Sequence, residues 1–344
     1  MDDASGRKRK CDTQLDNVFL YYKGGKVAEG MKSQITRVRI GPQVKDIPHN
    51  AFRGCTNLTE VQFGEGSLEV IGDGAFYECR ALQQVILPSS VTDLGACAFY
   101  GCINLAAVKL NEGLEIIEMS TFHGCRALQR VTIPLSVTKL DNYAFWGCCD
   151  LVKVQFSEGL EIIGQAAFNE CLALRSVTVP SSVTRLGSFA FIGCINLTEF
   201  ILLGGERLLN QESLDRGLLG VERALNKKKL SEMIGNGNSL SDDCPLRTDA
   251  FHRCPLTTLK ISIPRALSER MERLPRECRL SIEQRVHDLR RVELTQDGNI
   301  LACFPLPRRS SVLDTVEDTN DETAESLHQV LQLILFMNSG SRAF

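Results

Sequence analysis

The sequence predicts an α/β repeat solenoid, a curved stack of short parallel strands with end caps and a helical C-terminal region. Three observations carry this prediction. Phenylalanine recurs as Phe52, Phe76, Phe99, Phe122, Phe145, Phe168 and Phe191, at intervals of 24 residues once and 23 residues five times. A cysteine follows each of them by three residues, from Cys55 through to Cys194. After each cysteine comes a Leu-x-x-Val-x-apolar block, as in Leu105, Val108 and Leu110. A fixed period of about 20–50 residues marks a stacked fold in which no single unit buries its own apolar face.

The elements follow in order. Residues 1–16 are polar and read as a disordered basic tail, in which Arg7, Lys8, Arg9 and Lys10 form either a nuclear import signal or a solvated terminus. Residues 17–34 read as a cap hairpin that turns at Lys23-Gly24-Gly25 and covers the open end of the stack. Residues 35–203 hold the repeats. Period-2 alternation in each Leu block predicts a short strand with one buried face. A second apolar pair, such as Val137 and Leu140, predicts a return segment. The repeats alternate in type. Pro-Ser-Ser-Val or Pro-Leu-Ser-Val occupies 88–91, 134–137 and 180–183, whereas Glu-Gly-Leu occupies 112–114 and 158–160. This indicates a copied unit of about 46 residues.

After Leu203 the period breaks. Residues 204–242 read as a helical insertion, either a binding loop or an irregular cap. Residues 243–263 read as a last divergent repeat, with Phe251 and Cys254 at its corner and Leu259, Ile261 and Ile263 in its strand. Residues 264–305 read as a helical cap and a hairpin around Asp297-Gly298-Asn299. Residues 306–323 form an acidic linker, and 324–344 an amphipathic helix with Leu327, Val330, Leu331, Ile334 and Leu335 on one side. That helix either docks on the solenoid or packs on a partner.

Composition narrows the function. The net charge of −3 gives no overall field that would draw nucleic acid or an anionic membrane. No stretch of 18 apolar residues is present, so no membrane span is expected. The first 20 residues hold no apolar run, so secretion is not expected. Half of the 14 cysteines fall in one column, one per repeat. Such a column is nearly collinear, which suits buried reduced thiols and not a tetrahedral zinc site. The expectation is an intracellular protein, in the cytoplasm rather than the nucleus. The five histidines show no metal spacing. Gly25–Ser33 lacks the lysine that must directly follow the second glycine of a phosphate loop. No catalytic, cofactor-binding or metal-binding residue is expected, and the chain reads as non-enzymatic.

The Ala-Phe-x-x-Cys corner, the Leu-x-x-Val-x-apolar strand and the Pro-Ser-Ser-Val-Thr-x-Leu-Gly return together resemble the BspA-like branch of the leucine-rich repeats, over roughly residues 35–263. The resemblance implies a curved solenoid with parallel strands on one face. It also implies a role in protein–protein contact, because that fold carries no shared catalytic site.

On such a scaffold the candidate partner-binding residues are the outward side chains of the stacked strands: Glu60, Gln84, Lys109, Arg130, Lys153, Arg175 and Glu199. They make a basic centre with acidic ends, suited to an acidic segment of a protein partner whose identity the sequence does not give. The plain alternative is a solvated face of mixed charge. Two rival functions remain. One is an oligomerising adaptor that acts through the helix at 324–344, the oligomeric state being open. The weaker is nucleic-acid binding by the eight arginines of 265–291, where five interleaved acids favour salt-laced helices instead.

Overall fold

The computed structural model describes residues 18–64, 66–203, 254–263, 292–294 and 300–305, together with Arg276, Glu277, Leu280, Ser281 and Gln284. The chain coils so that each turn of about 23 residues lays one strand on a front sheet and a shorter one on a back sheet. The front ladder is parallel and runs Val18–Tyr22, Ile35–Ile40, Glu60–Phe63, Gln84–Ile86, Ala107–Lys109, Arg130–Thr132, Lys153–Gln155. It resumes with Ser176–Val179, Glu199–Leu203 and Thr258–Ile263. The back ladder holds two-residue strands, Asp46–Ile47, Val70–Ile71 and Asp93–Leu94, then Ile116–Ile117, Lys139–Leu140, Ile162–Ile163 and Arg185–Leu186. Between the two sheets lies one continuous core, containing the corner phenylalanines and the Leu, Val and Ile columns.

The repeats are a β-solenoid, which corrects the α/β expectation. Among the described residues of 35–203 none is helical. Two strands and two turns consume each 23-residue unit, and no stretch remains long enough for a stable helix of three turns. The N-terminal cap is also not a hairpin. Val18–Tyr22 pairs in parallel with Ile35–Ile40, and a short helix, Glu29–Lys32, makes the connection. The Gly24-Gly25 turn that suggested a hairpin is instead held by the Tyr22 hydroxyl, which donates to the Gly25 carbonyl. The end of the stack is therefore one more coil of the solenoid.

At the other end the chain leaves after Leu203 and rejoins the same ladder at Cys254. Glu199 faces Thr258 and Leu203 faces Ser262 in parallel register. Ile300–Pro305 then adds to Thr258–Ile263 in antiparallel register, and Val292–Leu294 pairs antiparallel on its outer side. The five isolated positions from Arg276 to Gln284 are helical. The tail 1–16, the insertion 204–242, the linker 306–323 and the helix 324–344 lie outside the described residues.

The corner explains its own sequence. Each phenylalanine is fully buried, and successive rings stack 5.1–5.6 Å apart along the solenoid. Each phenylalanine N–H from Phe52 to Phe168 donates to a backbone carbonyl of the next turn, as Phe145 does to Ala167 at 2.8 Å. From Cys79 to Cys194 each corner thiol donates to the phenylalanine carbonyl of the turn before, as Cys79 does to Phe52 at 3.2 Å, Cys125 to Phe99 at 3.3 Å and Cys194 to Phe168 at 3.1 Å. That carbonyl already accepts the backbone N–H of its own cysteine, and the thiol fills its second lone pair inside the core. The extra residue of the single 24-residue interval falls between Phe63 and Leu68, in a glycine-rich return that carries Gly64, Gly66 and Ser67.

Candidate functional site: the front strand face

Two outward rows run along the front ladder, because side chains alternate across a strand. The first reads Phe19, Arg37, Glu60, Gln84, Ala107, Arg130, Lys153, Ser176, Glu199 and Thr258. The second reads Tyr21, Arg39, Gln62, Ile86, Lys109, Thr132, Gln155, Thr178, Ile201 and Lys260. Direct register is shown for Glu60 with Gln84 and for Arg130 with Lys153. Gln84, Lys109, Arg130, Lys153 and Arg175 are exposed, whereas Glu60 and Glu199 are half-buried. Six of the seven candidates thus lie in these two rows, and Arg175 is exposed one residue before the strand Ser176–Val179, beside the first row.

The charges differ from the expected basic centre with acidic ends. Glu199 meets Lys260 at 2.5 Å and accepts the Ser176 hydroxyl at 2.9 Å. The Lys260 ammonium lowers the Glu199 pKa below the usual carboxylate range, and the carboxylate raises that of Lys260. Glu60 accepts the Gln62 side-chain amide at 2.8 Å. At the N-terminal end the parallel strand adds Arg37 and Arg39, flanked by Phe19 and Tyr21, which are 52% and 44% exposed. Phe19 and Tyr21 were missed because residues 17–34 read as a hairpin, and Arg37 and Arg39 because the candidate columns begin at Glu60, although residues 35–48 read as a first repeat. Six cations (Arg37, Arg39, Lys109, Arg130, Lys153, Lys260), with Arg175 beside the first row, therefore share a face with three carboxylates (Glu60, Glu199 and Glu293, the last close enough to Lys260 to raise its pKa), in a chain whose net charge is −3. Among the described residues, only Lys260 of these seven is ion-paired. A cleft of about 740 Å³ opens on this face beside Gln62, Gln84, Ile86 and Gly64, where the repeat carries its extra residue.

The opposite corner carries a second ladder, which is structural. Arg53 lies 4.6 Å over the ring of Tyr77, Tyr77 stacks on Tyr100 at 4.6 Å, and His123 sits between Tyr100 and Trp146 at 4.5 and 4.7 Å. The ring faces are spent on one another, so they offer no platform on which bases would stack. Burial lowers the His123 pKa below its ordinary value, with Glu170 opposing weakly. A depressed base contributes stability that is lost as pH falls from about 6.5 through the folded value.

Burial likewise pushes the corner thiols up, Cys55 to about 11 and Cys102 to about 12, so they are poor nucleophiles. Among the described residues, no group of three or more His, Cys, Asp or Glu is placed to hold a metal, and no helix is long and apolar enough to cross a membrane.

Comparison with known proteins finds one repeat family. The profile described as "BspA type Leucine rich repeat region" matches six copies, over residues 31–150 and 140–214. No curated protein matches. Similar solved structures include a leucine-rich repeat protein from Bacteroides ovatus ATCC 8483, with 24% identity, a TM-score of 0.44 and 54% of this chain covered. Another is a leucine-rich repeat protein from Eubacterium ventriosum ATCC 27560, with 27% identity, a TM-score of 0.45 and 47% of this chain covered. A third is a leucine rich cell surface protein from Faecalibacterium prausnitzii A2-165, with 22% identity, a TM-score of 0.38 and 62% of this chain covered. The matched regions span 57%, 44% and 66% of those chains. With the profile matching more than half of the sequence, and the corner and strand columns placed as its repeats require, the chain belongs to the BspA-type leucine-rich repeat family.

Proposed function

We propose that this protein is a non-catalytic interaction scaffold whose front strand face holds an acidic, extended segment of a partner protein. The observation that carries the reading is the run of six cations, Arg37, Arg39, Lys109, Arg130, Lys153 and Arg175, with no ion-pair partner among the described residues. A surface kept soluble only by mixed charge would intersperse both signs. Here Glu199 is engaged by Lys260 and Glu60 by Gln62, Glu293 lies near Lys260 at the C-terminal end, and the positive sign dominates over the rest of the face. Such a face speeds encounter with an acidic segment and disfavours basic competitors. The buried thiol column fits a reducing compartment, and we place the protein inside the cell on that ground.

The test is capture of partners by the wild type and by Arg130→Glu/Lys153→Glu, with a fluorescein-labelled polyglutamate peptide as a defined probe. Reversing both charges is expected to weaken probe binding about tenfold or more, equivalent to roughly 1.4 kcal/mol, and to leave the melting transition in place. Equal capture and equal probe affinity in both proteins would remove the front face from function.

A further inference from the structure

We propose that the first occupant of the basic front face is the chain's own acidic segment, residues 312–325. This rests on the reading above and adds a competitor built into the molecule. The sequence from Val312 to Glu325 contains Asp314, Glu317, Asp318, Asp321, Glu322 and Glu325 and no basic residue. Six carboxylates thus stand in one short segment, against five cations of the two rows and the neighbouring Arg175, none of them ion-paired among the described residues.

The register of the last strands brings that segment to the face. Pro305, the end of the last front strand, pairs with Thr258, which pairs with Glu199, which pairs with Ser176. The same row continues at the equivalent positions Lys153 and Arg130. The chain therefore departs from the face at the level of the row that holds the cations. Neighbouring strands are about 4.8 Å apart, so five steps from Pro305 to Arg130 cover about 24 Å. The nine residues from Pro305 to Asp314 reach up to about 30 Å when extended. Asp314 can meet Lys153 or Arg130, and the carboxylates that follow can reach Lys109. The Glu199–Lys260 pair stands between Pro305 and these cations and is neutral as a pair.

The consequence is competition. A tethered segment acts at an effective concentration in the millimolar range, so even weak ion pairing keeps the face partly occupied until a tighter acidic partner displaces it.

The experiment uses the full chain and a variant with Asp314, Asp318 and Asp321 changed to Asn and Glu317, Glu322 and Glu325 changed to Gln. Zero-length coupling of carboxylates to amines, on a mixture of isotopically light and heavy wild type, is expected to join Lys109 or Lys153 to the 314–325 segment within one chain. Links should fall sharply at high salt, where exposed charges are screened. Binding of the labelled polyglutamate peptide is expected to be about three- to tenfold tighter in the neutralised variant. Tail carboxylates linked only elsewhere, or equal peptide affinity in the two proteins, would overturn the proposal while leaving the acidic-partner reading intact. Failure of the peptide to bind either protein would overturn both.

Discussion

At the scale of single residues, the corner is governed by two backbone positions as much as by the phenylalanine. The residue two before each phenylalanine and the residue two after it both have positive φ in all seven corners. The second position is glycine five times, for example Gly124 at 72° and Gly147 at 71°, but Glu78 at 55° and Glu170 at 57° occupy it in two repeats. A side chain there costs roughly 1–2 kcal/mol, partly offset by the unfolded-state entropy that glycine adds. Glu78→Gly is therefore expected to raise stability by about 0.5 kcal/mol. Its 3.5 Å surface pair with Arg80 is worth little. Chemical denaturation that shows a loss above about 1 kcal/mol would mean that the Glu78 side chain holds the corner together. The phenylalanine itself leads to the larger prediction. Phe145 is fully buried, with Phe122 and Phe168 stacked at 5.3 and 5.4 Å. Phe145→Ala should destabilise by about 3–5 kcal/mol, and an effect below about 1 kcal/mol in the same assay would contradict its burial.

At the scale of elements, the alternation of repeat types acquires a physical cause. The serine before the valine of each Pro-x-Ser-Val turn donates to a leucine carbonyl in the preceding coil: Ser90 to Leu68, Ser136 to Leu114 and Ser182 to Leu160, each at 2.7 Å. One repeat type supplies the donor and the other the carbonyl, so the complementary pair is the natural unit of duplication. Ser136→Ala should cost about 1 kcal/mol, and swapping in threonine, which keeps the hydroxyl, should recover part of it; no loss on alanine substitution would deny the hydroxyl this role. The corner, the strand and the two repeat types were legible in the sequence because periodicity repeats the evidence seven times. Features that occur once were not legible. Val18–Tyr22 satisfies the same alternation whether its neighbour is antiparallel or parallel, and the Gly24-Gly25 pair suits either connection. The Glu199–Lys260 pair joins residues 61 apart across an insertion, so no local pattern announced it, and the acidic end of the candidate face was overestimated.

At the scale of the whole molecule, stability is distributed along one axis. Each coil touches chiefly its neighbours, so its opening depends on the coils on either side. Hydrogen exchange measured by mass spectrometry should show the slowest amides in the central coils, near Leu128 and Leu151, and faster exchange near Val18–Tyr22. Uniform rates from end to end would indicate a single cooperative block. The strands Ile300–Pro305 and Val292–Leu294 set the limit of that axis. A stack of identical parallel coils has a top that fits the bottom of another copy, the geometry from which open filaments grow. Here Ile300–Pro305 runs against that direction and Val292–Leu294, on its outer side, runs with it again, so an incoming Val18–Tyr22 edge would find a parallel template of only three residues, where Ile35–Ile40 offers six. The terminal edge is blunted by its shortness and not by its direction, which is one of the ways sheets avoid open-ended stacking.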